Sequence, residues 1–104
     1  MKSVWSERAK KSLHLVEDYI LREFGDKKRN EFMSEAEKVA IQLESFPTMG
    51  KEEPLLVHRK KLYRSSMITR LTKMIYHVDE QRELVVISDI WDIRREPNAA
   101  SKGL

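Results

Sequence analysis

Apolar side chains recur every three or four residues through the first half of the chain. One series has spacings of 4, 3, 4 and 4 and comprises Ala9, Leu13, Val16, Ile20 and Phe24. A second series has spacings of 4, 3, 4 and 3 and comprises Phe32, Ala36, Val39, Leu43 and Phe46. Each series places its apolar side chains on one face of a helix. The pattern predicts two amphipathic helices, near residues 6–24 and 28–45.

Residues suited to helix ends support these bounds. Ser6 is a good N-cap for the first helix, and Gly25 is suited to end it. Asp26 is the expected cap of the second helix, and Pro47 stops that helix. The short connection between the helices predicts an antiparallel hairpin.

The second half of the chain is patterned as β-sheet. Segments rich in β-branched and aromatic residues predict strands at 62–67, 73–78 and 84–91, and a short apolar run lies at 55–57. The polar connection at 79–82 predicts an antiparallel hairpin of the last two strands. Val4 and Trp5 are the predicted end of a short N-terminal strand. The expected fold is therefore α+β, with a two-helix antiparallel hairpin packed on a small, mainly antiparallel sheet in β-α-α-β-β-β order.

Alternation along the first strand of this hairpin assigns its side chains to two faces. Met74, Tyr76 and Val78 form the apolar set, which we expect to pack under the helices. Lys73 and His77 then point outward, onto an open basic face of the sheet.

Length and composition indicate a single domain. The chain has 104 residues, 40% of them apolar, and no cysteine. We assign the domain to residues 1–97 and expect residues 98–104 to form a flexible tail. No apolar run approaches the roughly 18 residues of a membrane helix, and no signal-peptide pattern is present, so the expected location is the cytoplasm. The lack of cysteine excludes disulfides and cysteine-ligated metal sites.

Positive charge is concentrated in one segment. The net charge is +3, yet residues 54–78 contain six Lys/Arg and no Asp/Glu. Such a cluster indicates a polyanionic partner, either nucleic acid or an acidic protein segment, although a solvated sheet edge has the same composition. The candidate residues for binding such a partner are Arg59, Lys60, Lys61, Arg64 and Arg70.

The same strands carry residues that suit cleavage of an RNA phosphodiester. The reaction needs a base, an acid and cations near the developing phosphorane charge. His77 is the only outward-facing base expected near neutral pH. The residues that could act in catalysis are Lys73, His77, Arg94 and Arg95, with Arg64 as a further phosphate ligand. No phosphate-binding loop or metal motif accompanies them, so neither a metal nor another cofactor is expected.

Structural roles for these residues stay open at this stage. His77 can be a half-exposed strand residue without a task, and Tyr76 can belong to the core. Trp91 can be a packing anchor rather than a base-stacking platform. The arginines at 64 and 94 can pair with the aspartates at 89 and 92.

Four segments of the chain resemble the RelE/ParE superfamily of bacterial type II toxin–antitoxin toxins. Residues 4–9 resemble its first strand and helix, and residues 46–50 its exit from the second helix. Residues 73–78 resemble its central strand. Residues 90–97, with Trp-Asp-x-Arg-Arg-x-Pro, resemble its closing strand. The likeness covers about residues 1–97.

The resemblance implies a growth-inhibiting toxin of a plasmid-stabilisation module and a cognate antitoxin encoded beside it. RelE-like members cleave mRNA on the ribosome, whereas ParE-like members bind DNA gyrase without catalysis. The family's central-strand arginine is matched here by Lys73, and its closing-strand arginine by Arg94 or Arg95. Many cleaving members need a tyrosine or histidine near the C-terminus, and this chain has neither after His77. The resemblance therefore favours a ParE-like gyrase poison, with a metal-independent mRNA endonuclease as the alternative.

Overall fold

The computed structural model describes residues 1–94 and 102–104, which form a five-stranded sheet with a helical hairpin on one face. The sheet order is β1-β5-β4-β3-β2; β1 and β5 are parallel and the other neighbours antiparallel. The predicted α+β architecture is confirmed. The elements are β1 (Lys2–Trp5), α1 (Glu7–Phe24), α2 (Asp26–Ser45), β2 (Lys51–Glu52), a 3₁₀ helix (Pro54–Leu56), β3 (Arg64–Thr69), β4 (Thr72–Asp79) and β5 (Leu84–Asp92).

Both predicted ends of α1 and the predicted end of α2 at Ser45 are confirmed, whereas the start of α2 is corrected. The Ser6 hydroxyl accepts a hydrogen bond from the Ala9 amide at 3.0 Å, and this caps α1. Gly25 ends α1 at φ +90°, a conformation that costs glycine little. Gly25 is also the N-cap of α2, which begins at Asp26 without a side-chain cap. Asp26 is therefore the first helical residue rather than the cap, because one glycine makes the whole turn.

The main core lies between the helices and one face of the sheet. Met74 and Tyr76 are buried there and Val78 packs against them, as the strand alternation predicted. A bulge in β5 opposite Ile75 and Tyr76 inserts Ser88, so Ile87 and Ile90 both reach this core. The buried core residues are Ala9, Phe32, Ala36, Val39, Ala40, Leu43, Ile68, Met74, Tyr76, Val85, Ile87 and Ile90.

Tyr76 also fixes the loop that leaves α2. Its hydroxyl donates to the Pro47 carbonyl at 2.7 Å and accepts from the Gly50 amide at 3.0 Å. A Cβ at Gly50 would lie 2.6 Å from that hydroxyl and 2.7 Å from the Ser65 carbonyl. Only glycine lets the loop approach the sheet this closely.

The opposite face of the sheet is covered, which corrects the prediction of an open basic face. The apolar run after Pro54 forms the 3₁₀ helix, because the Glu53 side chain accepts from the Leu55 amide at 3.1 Å and starts a turn. This helix and the loop behind it cross the sheet. They complete a second apolar cluster of four buried residues: Leu56, Tyr63, Ile75 and Trp91. Trp91, 1% exposed, is thus a packing anchor.

Candidate functional site

The six cations of residues 54–78 separate into several places instead of forming one surface. Those in the loop after the 3₁₀ helix are exposed: Arg59, Lys60 and Lys61. Arg64 is half-buried and donates to the Gly50 carbonyl at 2.9 Å. Arg70 is exposed at the turn between β3 and β4. Only the loop cations therefore form a cluster that could meet a polyanion.

Lys73 lies inside the second face, where its charge is neutralised. Its ammonium group pairs with the carboxylate of Glu53 and lies 5.4 Å from the centroid of the Trp91 ring. The side chains of Lys73 and Glu53 are only 18% and 1% exposed. The lysine is therefore held between a carboxylate and an aromatic face, rather than presented to a phosphate.

Sequence reasoning missed Glu53. Its side chain is the cap of the 3₁₀ helix as well as the partner of Lys73. The signal was present, because an acidic residue directly before a proline is a common way to start a helical turn.

His77 is half-buried on the same strand, edge-on to the ring of Tyr63 with 5.6 Å between ring centroids. Burial, and then the charge of Lys61, lower the pKa of His77 below its ordinary value, against the opposing effect of Asp79. His77 lies four residues from Lys73 on β4, so their Cα atoms are about 13 Å apart. One phosphate cannot bridge two groups at that spacing without a large rearrangement.

Arg94 lies beyond the end of β5 and makes a two-pronged pair with Asp92. Its Nη2 and Nε lie 2.7 and 3.0 Å from the two carboxylate oxygens. The hydrogen bonds to Asp92 raise the pKa of Arg94 further above its ordinary value. The anticipated pairing of Arg94 is thus present, whereas Arg64 contacts a backbone carbonyl instead. Arg95 lies outside the described residues.

The three candidate catalytic residues that the structure describes are therefore not assembled into one site. Lys73 and His77 share a face but are separated along β4, and Arg94 lies past the end of the neighbouring strand. Within residues 1–94 and 102–104, no cluster of three or more His, Asp or Glu side chains could hold a metal ion. Neither described helix is long and apolar enough to cross a membrane.

A groove with a mainly apolar lining lies between the helical hairpin and the β3–β4 turn. Its volume is about 500 Å³. Tyr19 and Phe24 stand at its mouth, 44% and 62% exposed, with their rings edge-to-face at 6.3 Å. Its apolar lining consists of Val16, Tyr19, Ile20, Phe24, Phe32 and Leu71. Exposed paired aromatics of this kind are typical of protein-binding surfaces.

Charged side chains rim this groove with both signs. Arg70 and Lys28 lie on the rim with Glu31 and Glu35, and the Arg94–Asp92 pair is at one end. The aromatic mouth was not predicted as a site, because Phe24 fits the core-facing series of α1. Its position in the last turn of the helix, beyond the reach of the sheet, is the signal that distinguishes it.

Comparison with known proteins gives a family and a fold. The family model described as the ParE toxin of the type II toxin-antitoxin system, parDE, matches residues 4–97. A solved structure of the chromosomal ParDE toxin–antitoxin system from P. aeruginosa matches with a TM-score of 0.72 at 16% identity, covering 90% of this chain and 97% of that chain. At that identity the structural likeness shows a shared fold. No curated protein matches.

Proposed function

Because this chain belongs to the ParE toxin family of type II toxin–antitoxin systems, we propose that it stops bacterial growth by binding DNA gyrase rather than by cleaving RNA. In this proposal a cognate antitoxin neutralises it. The observation that carries the proposal is the ion pair between Lys73 and Glu53. A ribonuclease of this fold would need a free cation at the centre of the sheet, and here Glu53 neutralises the Lys73 ammonium group.

The surroundings of the pair argue against a hidden active site there. Releasing Lys73 toward a phosphate would leave the Glu53 carboxylate, 1% exposed, buried without its counter-ion. Removing one partner of a buried pair costs about 3–5 kcal/mol. A substrate would have to supply that free energy before any chemistry began, so a role in stability explains Lys73 better than a role in cleavage.

Growth arrest by this toxin is tested by pulse labelling after tightly controlled induction in a bacterial host. The proposal predicts that thymidine incorporation falls before methionine incorporation and that DNA breaks accumulate. Purified chain added to gyrase and supercoiled plasmid should increase cleaved DNA, with heat-denatured chain as the control. An early fall in methionine incorporation, with intact DNA, would instead support ribosome-dependent mRNA cleavage.

Two single-residue variants distinguish gyrase binding from mRNA cleavage. His77→Ala and Arg94→Ala each remove a group that cleavage would use, and neither side chain is in the main core. The gyrase proposal predicts that both variants keep their toxicity when expressed at the level of the parent chain. Loss of toxicity in both, with antitoxin binding unchanged, contradicts it.

The antitoxin is proposed to occupy the groove beside Tyr19 and Phe24. Antitoxin segments that fold on binding need apolar surface to offset their ordering cost, and this groove offers exposed aromatic anchors. Its rim of mixed charge fits an amphipathic helix that carries both signs. Arg70 then contributes as a rim residue, as the sequence suggested.

Calorimetric titration with purified antitoxin tests this surface. Phe24→Ala should weaken the affinity by about thirtyfold or more, because truncating a binding hot spot costs about 2 kcal/mol or more. Leu15→Ala is the matched control, since Leu15 is an equally exposed apolar residue of α1 outside the groove, 66% against 62% exposed. Equal affinities for the two variants would place the antitoxin elsewhere.

A further inference from the structure

The second face of the sheet holds residues from the far end of the chain. Its floor is the apolar cluster of Leu56, Tyr63, Ile75 and Trp91, each at most 7% exposed. The side chain of Leu104 packs on this cluster. A leucine-sized apolar group is therefore accommodated on a floor formed by β4, β5, the 3₁₀ helix and the following loop.

Two arginines from distant elements bind the main chain of the same segment. Arg8, in the first turn of α1, donates from Nη2 to the Lys102 carbonyl at 2.6 Å. Arg59, in the loop after the 3₁₀ helix, donates from Nε to a main-chain oxygen of Leu104 at 2.6 Å. These contacts recognise backbone oxygens, so they depend on the path of the main chain between the two arginines rather than on the side chains of the segment.

Gly103 shows that the segment fits closely. Its φ is +89°, and a Cβ built on it would lie 2.4 Å from Arg8 Nη1. The backbone conformation therefore favours glycine at this position, and any larger residue would also have to displace the Arg8 guanidinium.

A buried carboxylate holds the site in a binding arrangement. Asp89, 2% exposed, accepts from Arg8 Nε at 3.0 Å and from the Trp91 indole N–H at 2.9 Å, both at Oδ2. Its Oδ1 accepts from the Ser12 hydroxyl at 2.5 Å. One aspartate thus orients an arginine of the rim and the tryptophan of the floor together. Fixing these side chains before the segment arrives lowers the entropy cost of binding it.

We propose that this face of the sheet is a peptide-binding site, which the chain fills with its own residues 102–104. The site takes a short turn in which a leucine-type side chain follows a glycine at positive φ. It binds the side chain on the Trp91 floor and the main-chain oxygens between Arg8 and Arg59. The proposal is independent of the antitoxin site proposed above, because none of its contacts involves the groove beside Tyr19 and Phe24.

Tryptophan fluorescence tests whether the segment covers the floor. The chain has two tryptophans, so Trp5→Phe leaves Trp91 as the sole reporter. In that background, Leu104→Asp should raise the acrylamide quenching constant of Trp91 about twofold or more, because the apolar cover is lost. Gly103→Val should give the same rise through a different contact, and circular dichroism should show that both variants keep their helices.

Binding in trans distinguishes a peptide site from ordinary packing. A tethered segment has an effective concentration on the order of 1 mM, so the peptide is added at several times that concentration. Under these conditions the tripeptide N-acetyl-Lys-Gly-Leu should restore the low quenching constant of the Leu104→Asp chain. N-acetyl-Lys-Val-Leu is the matched control, since a β-branched valine is strained at the positive φ of this position, and it should have no effect. Unchanged quenching in both variants overturns the proposal. So does failure of the glycine peptide to act, or equal action of the two peptides.

Discussion

Replacing Lys73 by methionine should destabilise the protein strongly, although the residue lies outside the main core. Methionine keeps the length of the side chain and removes the charge that faces Glu53. The Glu53 carboxylate is 1% exposed. Of its contacts with the described residues, the hydrogen bond from the Leu55 amide is the one that the substitution leaves in place. Loss of one partner of such a pair costs about 3–5 kcal/mol. The contact with the Trp91 ring contributes a further ~1 kcal/mol.

This cost is a large part of the stability expected for a chain of this size. Domains of about 100 residues have free energies of unfolding of about 5–15 kcal/mol, and each kcal/mol shifts the melting temperature by about 4–8 °C. Lys73→Met should therefore melt at least ~12 °C below the parent chain. Adding Glu53→Gln should recover most of the loss, because a neutral amide needs no counter-ion and still accepts from the Leu55 amide.

Urea unfolding of four chains measures the effect: the parent, Lys73→Met, Glu53→Gln and the double variant. The cycle gives the coupling energy of the pair directly. Lys61→Met is the matched control, since that lysine is exposed and its change should stay within about 0.5 kcal/mol. If Lys73→Met unfolds at the same urea concentration as Lys61→Met, the pair does not stabilise the fold and the argument against a catalytic Lys73 fails.

Three further predictions concern the fold. Ser6→Ala removes the cap of α1 and should lower the free energy of unfolding by about 0.5–2 kcal/mol in urea titrations. Tyr76→Phe leaves the Gly50 amide without its partner and should cost about 1–3 kcal/mol by the same assay; an unchanged midpoint would contradict that reading. Burial lowers the folded-state pKa of His77, so the unfolded chain binds the proton first and stability should decline as the pH falls below about 6.5. Comparison with His77→Gln across that pH range should isolate this decline.

The helices and the last two strands were predictable because their signals are local. Apolar spacing, Ser6 and Gly25 identify α1, and β-branched residues identify β5. The 3₁₀ helix was not predictable from its three apolar residues, since a short apolar run fits a strand equally well. The deciding contact is the local cap of the Glu53 side chain on the Leu55 amide, and glutamate before proline is a weaker signal for it than the usual capping residues Ser, Thr, Asp and Asn.

The candidate site was predictable only in its residue types. Alternation correctly placed Lys73 and His77 on the face opposite the helices. It could not show that residues 53–63 cover that face, because the cover comes from a segment distant in sequence. The same limit applies to the groove, whose walls come from α1, α2 and the β3–β4 turn. Periodicity assigns a residue to one face of a strand or helix, whereas its burial depends on which other segments of the chain pack against that face.

The pairing of the first strand with the last has a consequence for synthesis. Residues 2–5 are in register with residues 84–87, so β1 has no strand partner until residues 84–87 have been synthesised. Helices can form on a growing chain from local contacts, but the edge of this sheet requires closure of a loop of about 80 residues, with the entropy cost that such a loop carries. The complete sheet therefore arises only after β5 has been synthesised.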